Sequence, residues 1–159
     1  MLRRRLLLPV AAMLLVLLTG CTPEQVAEVR AYLGINEIRT ESGSPPLAAD
    51  PVLAAVAQER SDDMAAKDYF SHTPPDGCNY ACLIDRMEGV HGYAGENLAW
   101  NVNVDWANTA DVAVQAWRDS PPHLENIVDC HYERVGTGVT RAPDNKIYFA
   151  MVFEGYVRC

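Results

Sequence analysis

The chain has 159 residues, and its 21 Asp and Glu residues outnumber its 13 Lys and Arg residues, which gives a formal net charge of −8. This acidic balance argues against nucleic acid as a partner and against binding to anionic lipid headgroups through a basic patch. The length fits a single domain that can bury a sizeable core.

The first twenty residues predict a signal peptide that is removed from the mature protein. Three arginines at positions 3–5 precede an uncharged apolar run, 6–18, which is too short to cross a bilayer and has the length of a signal-peptide core. The run ends in Leu18-Thr19-Gly20-Cys21, which resembles the lipobox of bacterial lipoproteins. We therefore expect cleavage before Cys21 and diacylation of its thiol. The alternative is an ordinary signal peptide with a chance cysteine.

Cleavage at this point leaves a mature chain, 21–159, which we expect to form one lipid-anchored domain on the extracytoplasmic side of the cell envelope. Removal of the signal takes three of the 13 Lys and Arg residues and no acidic residue, so the mature net charge becomes −11. Two or more acyl chains anchor a protein stably because each buried CH₂ contributes about 0.8 kcal/mol. The predicted partner is therefore the membrane, reached through the lipid on Cys21.

Four cysteines remain once Cys21 is assigned to lipid, and an even number in an exported chain predicts two disulfides with three possible connectivities. Cys78 and Cys82 are close enough in sequence to bridge across a single turn, which leaves Cys130 to pair with Cys159. A structural zinc site is the competing interpretation, but the paired Cys-x₂-Cys spacing that such sites use is missing.

Helices are predicted in the first two thirds of the mature chain. Thr22 is a candidate N-cap with Pro23 at the first helical position and Gln25 completing a capping box. In this helix Val26, Val29 and Leu33 have the spacing of one buried stripe. Asp50-Pro51 is a second helix start, and shorter helices are expected over 81–87, over 110–117 and after Ser120-Pro121-Pro122.

The segment 52–67 predicts an amphipathic helix, because four apolar residues share one of its faces. They are Leu53, Val56, Ala57 and Met64.

The end of the chain predicts β-structure. Residues 134–140 alternate between apolar and polar side chains, and a turn at 142–145 leads into 146–154, which is apolar on both faces. A strand that is buried on both faces needs a layer above it and a layer below it. Helices followed by such strands predict an α+β fold with three layers, helix, sheet and helix.

Five fragments resemble, in order, the CAP superfamily of cysteine-rich secretory, antigen 5 and pathogenesis-related-1 proteins. They are "INEIRTESGSPPL", "DPVLAAVAQERSDDMAAKDYFSHTPPDG", "AGENLAW", "AWRDSPPHLENI" and "VGTGV" with "YFAMVF". Together they cover residues 35–153. The resemblance implies an α-β-α sandwich, which agrees with the three-layer fold predicted from the helices and strands alone.

The resemblance also implies a central cleft that holds two histidines and two acidic residues. The matching positions are His72 in "YFSH", Glu96 in "AGEN" and His123 in "SPPH". Where animal members have the second acidic residue, this chain has Ser120, so at most three of the four are present.

Three functions are open for this cleft. Two imidazoles and a carboxylate can hold Zn²⁺ with one position left for water, and some family members bind zinc. The first hypothesis is a binding module for a metal ion, a small lipid or a sterol. Its structural alternative is that the cleft side chains only form a hydrogen-bonded network with one another. The second is an envelope hydrolase that uses zinc, or a Ser-His-Glu set in which Ser71 or Ser120 is the nucleophile. The third is a purely structural or interaction domain.

Overall fold

The computed structural model describes residues 20–89 and 92–156, in which a four-stranded sheet lies between two layers of helices. The elements in chain order are α1 (Pro23–Glu41), β1 (Ala48–Ala49), α2 (Pro51–Lys67), α3 (Tyr80–Glu88), β2 (Tyr93–Asn101), α4 (Thr109–Arg118), α5 (Pro121–Val128), β3 (Arg134–Arg141) and β4 (Ile147–Gly155). The predicted α-β-α sandwich is therefore confirmed. Residues 1–19 of the predicted signal peptide, 1–20, lie outside the described residues.

Strand β4 lies inside the sheet, whose strand order is β1-β3-β4-β2. It pairs antiparallel with β3 on one side and with β2 on the other. Phe149, Met151 and Phe153 pack against α1, α4 and α5, and the alternate side chains pack against α2 and α3. The prediction of a strand buried on both faces is confirmed. The two-residue β1, which pairs parallel with the start of β3, was not predicted.

Helix α1 begins where the sequence predicts, but its buried face is a different one. Thr22 caps it through a full capping box with Gln25. The stripe predicted to be buried is exposed, with Val26, Val29 and Leu33 at 42 %, 57 % and 58 % relative accessibility. The face turned to the core carries instead Ala27, Ala31, Ile35 and Ile38. Two alanines at the contact allow α1 to approach the sheet closely, which larger side chains would prevent.

Helix α2 matches its prediction. Asp50 caps it by accepting hydrogen bonds from the backbone N–H groups of Val52 and Leu53, at 2.8 and 3.0 Å. Its four predicted apolar residues, Leu53, Val56, Ala57 and Met64, are all buried. A charged residue, Arg60, is also buried on this face, at 1 % relative accessibility. This arginine reaches the cleft described below.

The Cys78–Cys82 disulfide is present, as predicted, and closes the turn that leads into α3. Cys130 is disulfide-bonded, but its predicted partner, Cys159, lies outside the described residues, so the pairing of Cys130 with Cys159 stays a prediction. Cys21 is free and exposed. None of the helices in the described part of the chain combines the length and the hydropathy that a membrane crossing requires.

Candidate functional site

The predicted cleft residues are positioned by three elements at the β2 edge of the sheet. Glu96 lies in the middle of β2, His72 in the loop after α2 and His123 in the first turns of α5. Glu96 is buried, at 4 % relative accessibility, whereas the side chain of His72 is 55 % exposed. A cleft of about 380 Å³ opens beside Glu96 and His72. Its other lining residues are Asn79, Tyr80, Tyr93, Ala94, Gly95, Asn126 and Tyr132.

Glu96 uses its two carboxylate oxygens for two different partners. Oε1 accepts a hydrogen bond from Nε of Arg60 at 2.9 Å, and Oε2 pairs with Nδ1 of His72 at 2.8 Å. The side chains of Arg60 and Glu96 are 1 % and 0 % exposed, so each is the counter-ion that makes burial of the other tolerable. Burial alone lowers the pKa of Arg60, but its hydrogen bond to Glu96, the charge of Glu96 and its bond to Tyr69 together raise the pKa overall.

Arg60 also holds the loop that carries His72. Its Nη1 donates to the hydroxyl of Tyr69 at 2.9 Å, and its Nη2 donates to the carbonyl of Ser71 at 2.6 Å. The Tyr69 hydroxyl in turn donates to Asp63 at 2.6 Å. Burial and this bond raise the pKa of Tyr69 to about 12. One arginine thus fixes both the backbone before His72 and the carboxylate that binds the His72 ring.

The ring of His123 is held differently. Its Nδ1 lies 2.8 Å from the hydroxyl oxygen of Ser120, at the start of α5. Burial lowers the pKa of His123, and so does the nearby charge of His72. Both effects favour the neutral form of the ring. Ser120 occupies the N-cap position, but its side chain makes no capping bond because it is engaged with His123.

Two asparagines join α5 to β2, and one of them, Asn126, also lines the cleft. Nδ2 of Asn97 donates to the carbonyl of His123 at 3.0 Å, and Nδ2 of Asn126 donates to Oδ1 of Asn97 at 3.0 Å. The helix that carries His123 is therefore tied to the strand that carries Glu96. Every buried side-chain nitrogen and oxygen in the described residues has a hydrogen-bond partner, as a well-formed polar site requires.

The structure does not assemble His72, Glu96 and His123 as three ligands of one ion. One group among the described residues has three potential ligand atoms within 4.8 Å of one another, and it consists of Asp129, Cys130 and His131. Cys130 is disulfide-bonded and offers no thiolate, which leaves Asp129 and His131 as the two potential ligands of this group. The two carboxylate oxygens of Glu96 are engaged with Arg60 and His72, and the role of Glu96 as a direct metal ligand stays a prediction.

The site offers a metal ion two imidazole rings, those of His72 and His123, each held in place by a hydrogen bond. A histidine that ligates a metal through one nitrogen nearly always has its other nitrogen bound to a carboxylate, carbonyl or similar group. Glu96 does this for His72, and Ser120 does it for His123 when Nδ1–H is the donor to its hydroxyl. In that tautomer the lone pair on Nε2 of each ring is left to bind a ligand.

Sequence reasoning missed Arg60, Asn97 and Asn126. A signal for Arg60 was present, because it follows Ala57 by three residues and precedes Met64 by four on the apolar face of α2. A charged residue on such a face must have a buried partner. The asparagines carry no comparable signal, since their partners come from distant segments.

A three-layer sandwich with two histidines and a buried carboxylate at the edge of its sheet defines a CAP-type module. Residues 34–153 match the family described as CAP, the cysteine-rich secretory protein family. The chain belongs to this family.

The chain is similar to proteins of two Bacillus species. The chain is 37 % identical over 109 residues to the uncharacterized membrane protein YlbC of Bacillus subtilis, covering 67 % of this chain and 29 % of that protein. An extracellular protein containing an SCP domain from Bacillus anthracis superposes with a TM-score of 0.71, at 26 % identity, over 83 % of this chain and 41 % of the other. The chain spans less than two fifths of the length of the curated relatives it matches.

A more distant structure, titled as NaASP2 with Zn²⁺, has a TM-score of 0.57 at 16 % identity, covering 84 % of this chain and 83 % of that one. At this level of identity the likeness concerns the fold.

Proposed function

We propose that this chain is an envelope-anchored CAP-domain lipoprotein whose cleft binds a divalent metal ion, with zinc as the first candidate, through His72 and His123. The observation that carries the proposal is that Nδ1 of both rings is held by a side-chain oxygen, from Glu96 and Ser120. The module is a binding module and not an enzyme. A bound ion would link the loop after α2 to helix α5 and keep further positions open for a small ligand.

A calorimetric titration of the mature protein with zinc at pH 7 tests the metal proposal. We expect His72→Ala or His123→Ala to weaken zinc binding by about 100-fold or more, since loss of a group that only orients a ligand already costs about 10–100-fold. Ser120→Ala is such a loss and is expected to cost about tenfold. Lowering the pH from 7 to 5 should weaken binding as well, because protons compete for the same nitrogens.

His131→Ala is the matched control, because the His131 ring is also bound to a carboxylate, that of Asp129, but does not belong to the His72–His123 pair. Its zinc affinity should equal that of the wild type. Absence of zinc binding by the wild-type protein, or unchanged binding by both cleft variants, would contradict the proposal.

The alternative is an envelope hydrolase of Ser-His-Glu type, but the glutamate and the serine bind different histidines. Glu96 pairs with His72, while Ser120 pairs with His123. The hydroxyl of Ser71 accepts a hydrogen bond from the backbone N–H of Thr73 at 3.1 Å and serves the turn. Loss of ester or peptide hydrolysis in a His123→Ala variant would favour this alternative.

A small lipid or sterol fits another part of the molecule better than the cleft, whose lining is largely polar. A groove of about 350 Å³ between α1 and α2 is lined mainly by apolar side chains, among them Val29, Tyr32, Ala54 and Val135. Extraction of the native protein followed by mass spectrometry of bound lipid addresses this candidate directly.

The lipid anchor is tested by replacing Cys21 with Ala and fractionating the cells. The wild-type protein is expected in the membrane fraction, and the variant is expected to be unprocessed or released, because no thiol is left to acylate. The anchor supplies the binding free energy, since each buried CH₂ contributes about 0.8 kcal/mol. A fully processed Cys21→Ala protein that remains in the membrane fraction would overturn this assignment.

A further inference from the structure

The outward face of the first three turns of α1 consists mainly of exposed apolar side chains. Val26, Val29 and Leu33 are spaced at i, i+3 and i+7, and all three are exposed. This spacing puts them on one side of a helix, over about 10 Å of its length. Arg30 shares this side and donates a hydrogen bond to the carbonyl of Ala107.

The charge on this face is opposite in sign to the net charge of the protein. The mature chain has a net charge of −11, yet Arg30 is the charged residue on this side of the first three turns. The acidic residues of the same turns, Glu24 and Glu28, line a groove toward α2 and β3, and Glu28 also borders the neighbouring groove at the edge of the face, beside Val29. An apolar face with a single cation suits the boundary between lipid headgroups and acyl chains.

The face lies directly after the residue to which the lipid is attached. Cys21 is exposed, and only Thr22 separates it from Pro23, the first residue of the helix. The capping box fixes Thr22, because its hydroxyl accepts from the backbone N–H of Gln25 and its own N–H donates to the Gln25 side chain. No flexible linker therefore separates the acylated residue from the helix.

We propose that the Val26–Val29–Leu33 face of α1 lies on the bilayer that holds the Cys21 lipid, so that the domain has a fixed orientation at the membrane. This proposal rests on the proposed lipid anchor. The core side of α1, which carries Ala27, Ala31 and Ile35, faces the sheet, so the rest of the domain points away from the bilayer. A helix that stood upright would leave the three side chains in water, whereas a helix that lies flat buries them at the interface.

The test uses the full chain, expressed and processed in a bacterial host, purified from membranes and reconstituted into phosphatidylcholine vesicles. Val29→Trp places a fluorophore on the face, and Ala55→Trp places one at an exposed position of α2, in the opposite helix layer. Emission is compared in vesicles of ordinary and brominated phosphatidylcholine, after subtraction of the wild-type signal. We expect bromine to quench about half of the emission added at position 29 and little of that added at position 55.

Equal quenching at positions 29 and 55 overturns the proposal. So does a dimer in detergent that is lost in a Val29→Glu, Leu33→Glu variant, because the face then contacts a second copy. Mass spectrometry of the N-terminal peptide separates this result from failure of the anchor. If Cys21 carries no lipid, the anchor assignment fails, and the same quenching experiment is run on protein coupled through the Cys21 thiol to a maleimide lipid.

Discussion

Replacing Glu96 with Ala is expected to lower the free energy of unfolding by about 3–5 kcal/mol, because it leaves a buried guanidinium without its counter-ion. Arg60 and Glu96 are both buried and lie 2.9 Å apart. The same change frees the His72 ring from its carboxylate. Chemical denaturation of the purified protein, monitored by circular dichroism, measures the effect.

Glu125→Ala is the control, because Glu125 is an exposed glutamate on α5. Its effect should stay within about 0.5 kcal/mol. The Arg60→Ala, Glu96→Ala double variant is expected to lose less stability than the sum of the two single variants, since removal of both charges leaves none unpaired. Strictly additive losses would show that the two groups do not act as a pair.

Gly138→Ala is expected to destabilise the protein by about 3 kcal/mol, the upper part of the usual range for overpacking. A Cβ at position 138 would lie 2.3 Å from the backbone carbon of Ala57 and from the backbone nitrogen of Gln58. Backbone atoms in the middle of a helix cannot move aside as a side chain can. Strand β3 and helix α2 must therefore separate, which disturbs the helix that carries Arg60.

Gly34→Ala offers a matched comparison in α1. A Cβ there would lie 3.0 Å from the methyl carbons of Val114, which are side-chain atoms. Replacing a helical Gly with Ala also favours the helix by about 1 kcal/mol, so we expect a change within about 1 kcal/mol of zero. If Gly138→Ala proves as mild as Gly34→Ala, then α2 does not pack on β3 as closely as described.

The fold was predictable where hydrophobic patterns and turn residues agree. Asp50-Pro51 and the apolar face of 52–67 predicted α2, and the apolar residues of 146–154 predicted a strand covered on both sides. The prediction failed for α1, because periodicity alone does not distinguish two competing faces. The larger apolar residues Val26, Val29 and Leu33 indicated one face, whereas close packing selected the face with Ala27 and Ala31.

The candidate site was predicted in its residues but not in its connections. Resemblance to the CAP family supplied His72, Glu96 and His123, and the structure places all three at one edge of the sheet. It also shows that Glu96 orients His72 and that Ser120 orients His123. Hydrogen bonds between segments separated by 24 or more residues in sequence, such as that from His72 to Glu96, leave no periodic signal in the chain.

Diffraction from crystals grown with zinc, recorded at the zinc absorption edge, tests the central proposal most directly. We expect one anomalous peak, bonded to Nε2 of His72 and Nε2 of His123, with Nδ1 of each ring still bound to Glu96 and Ser120. An empty cleft at saturating zinc, or a peak bonded only to residues outside it, such as Asp129 and His131, would contradict the account.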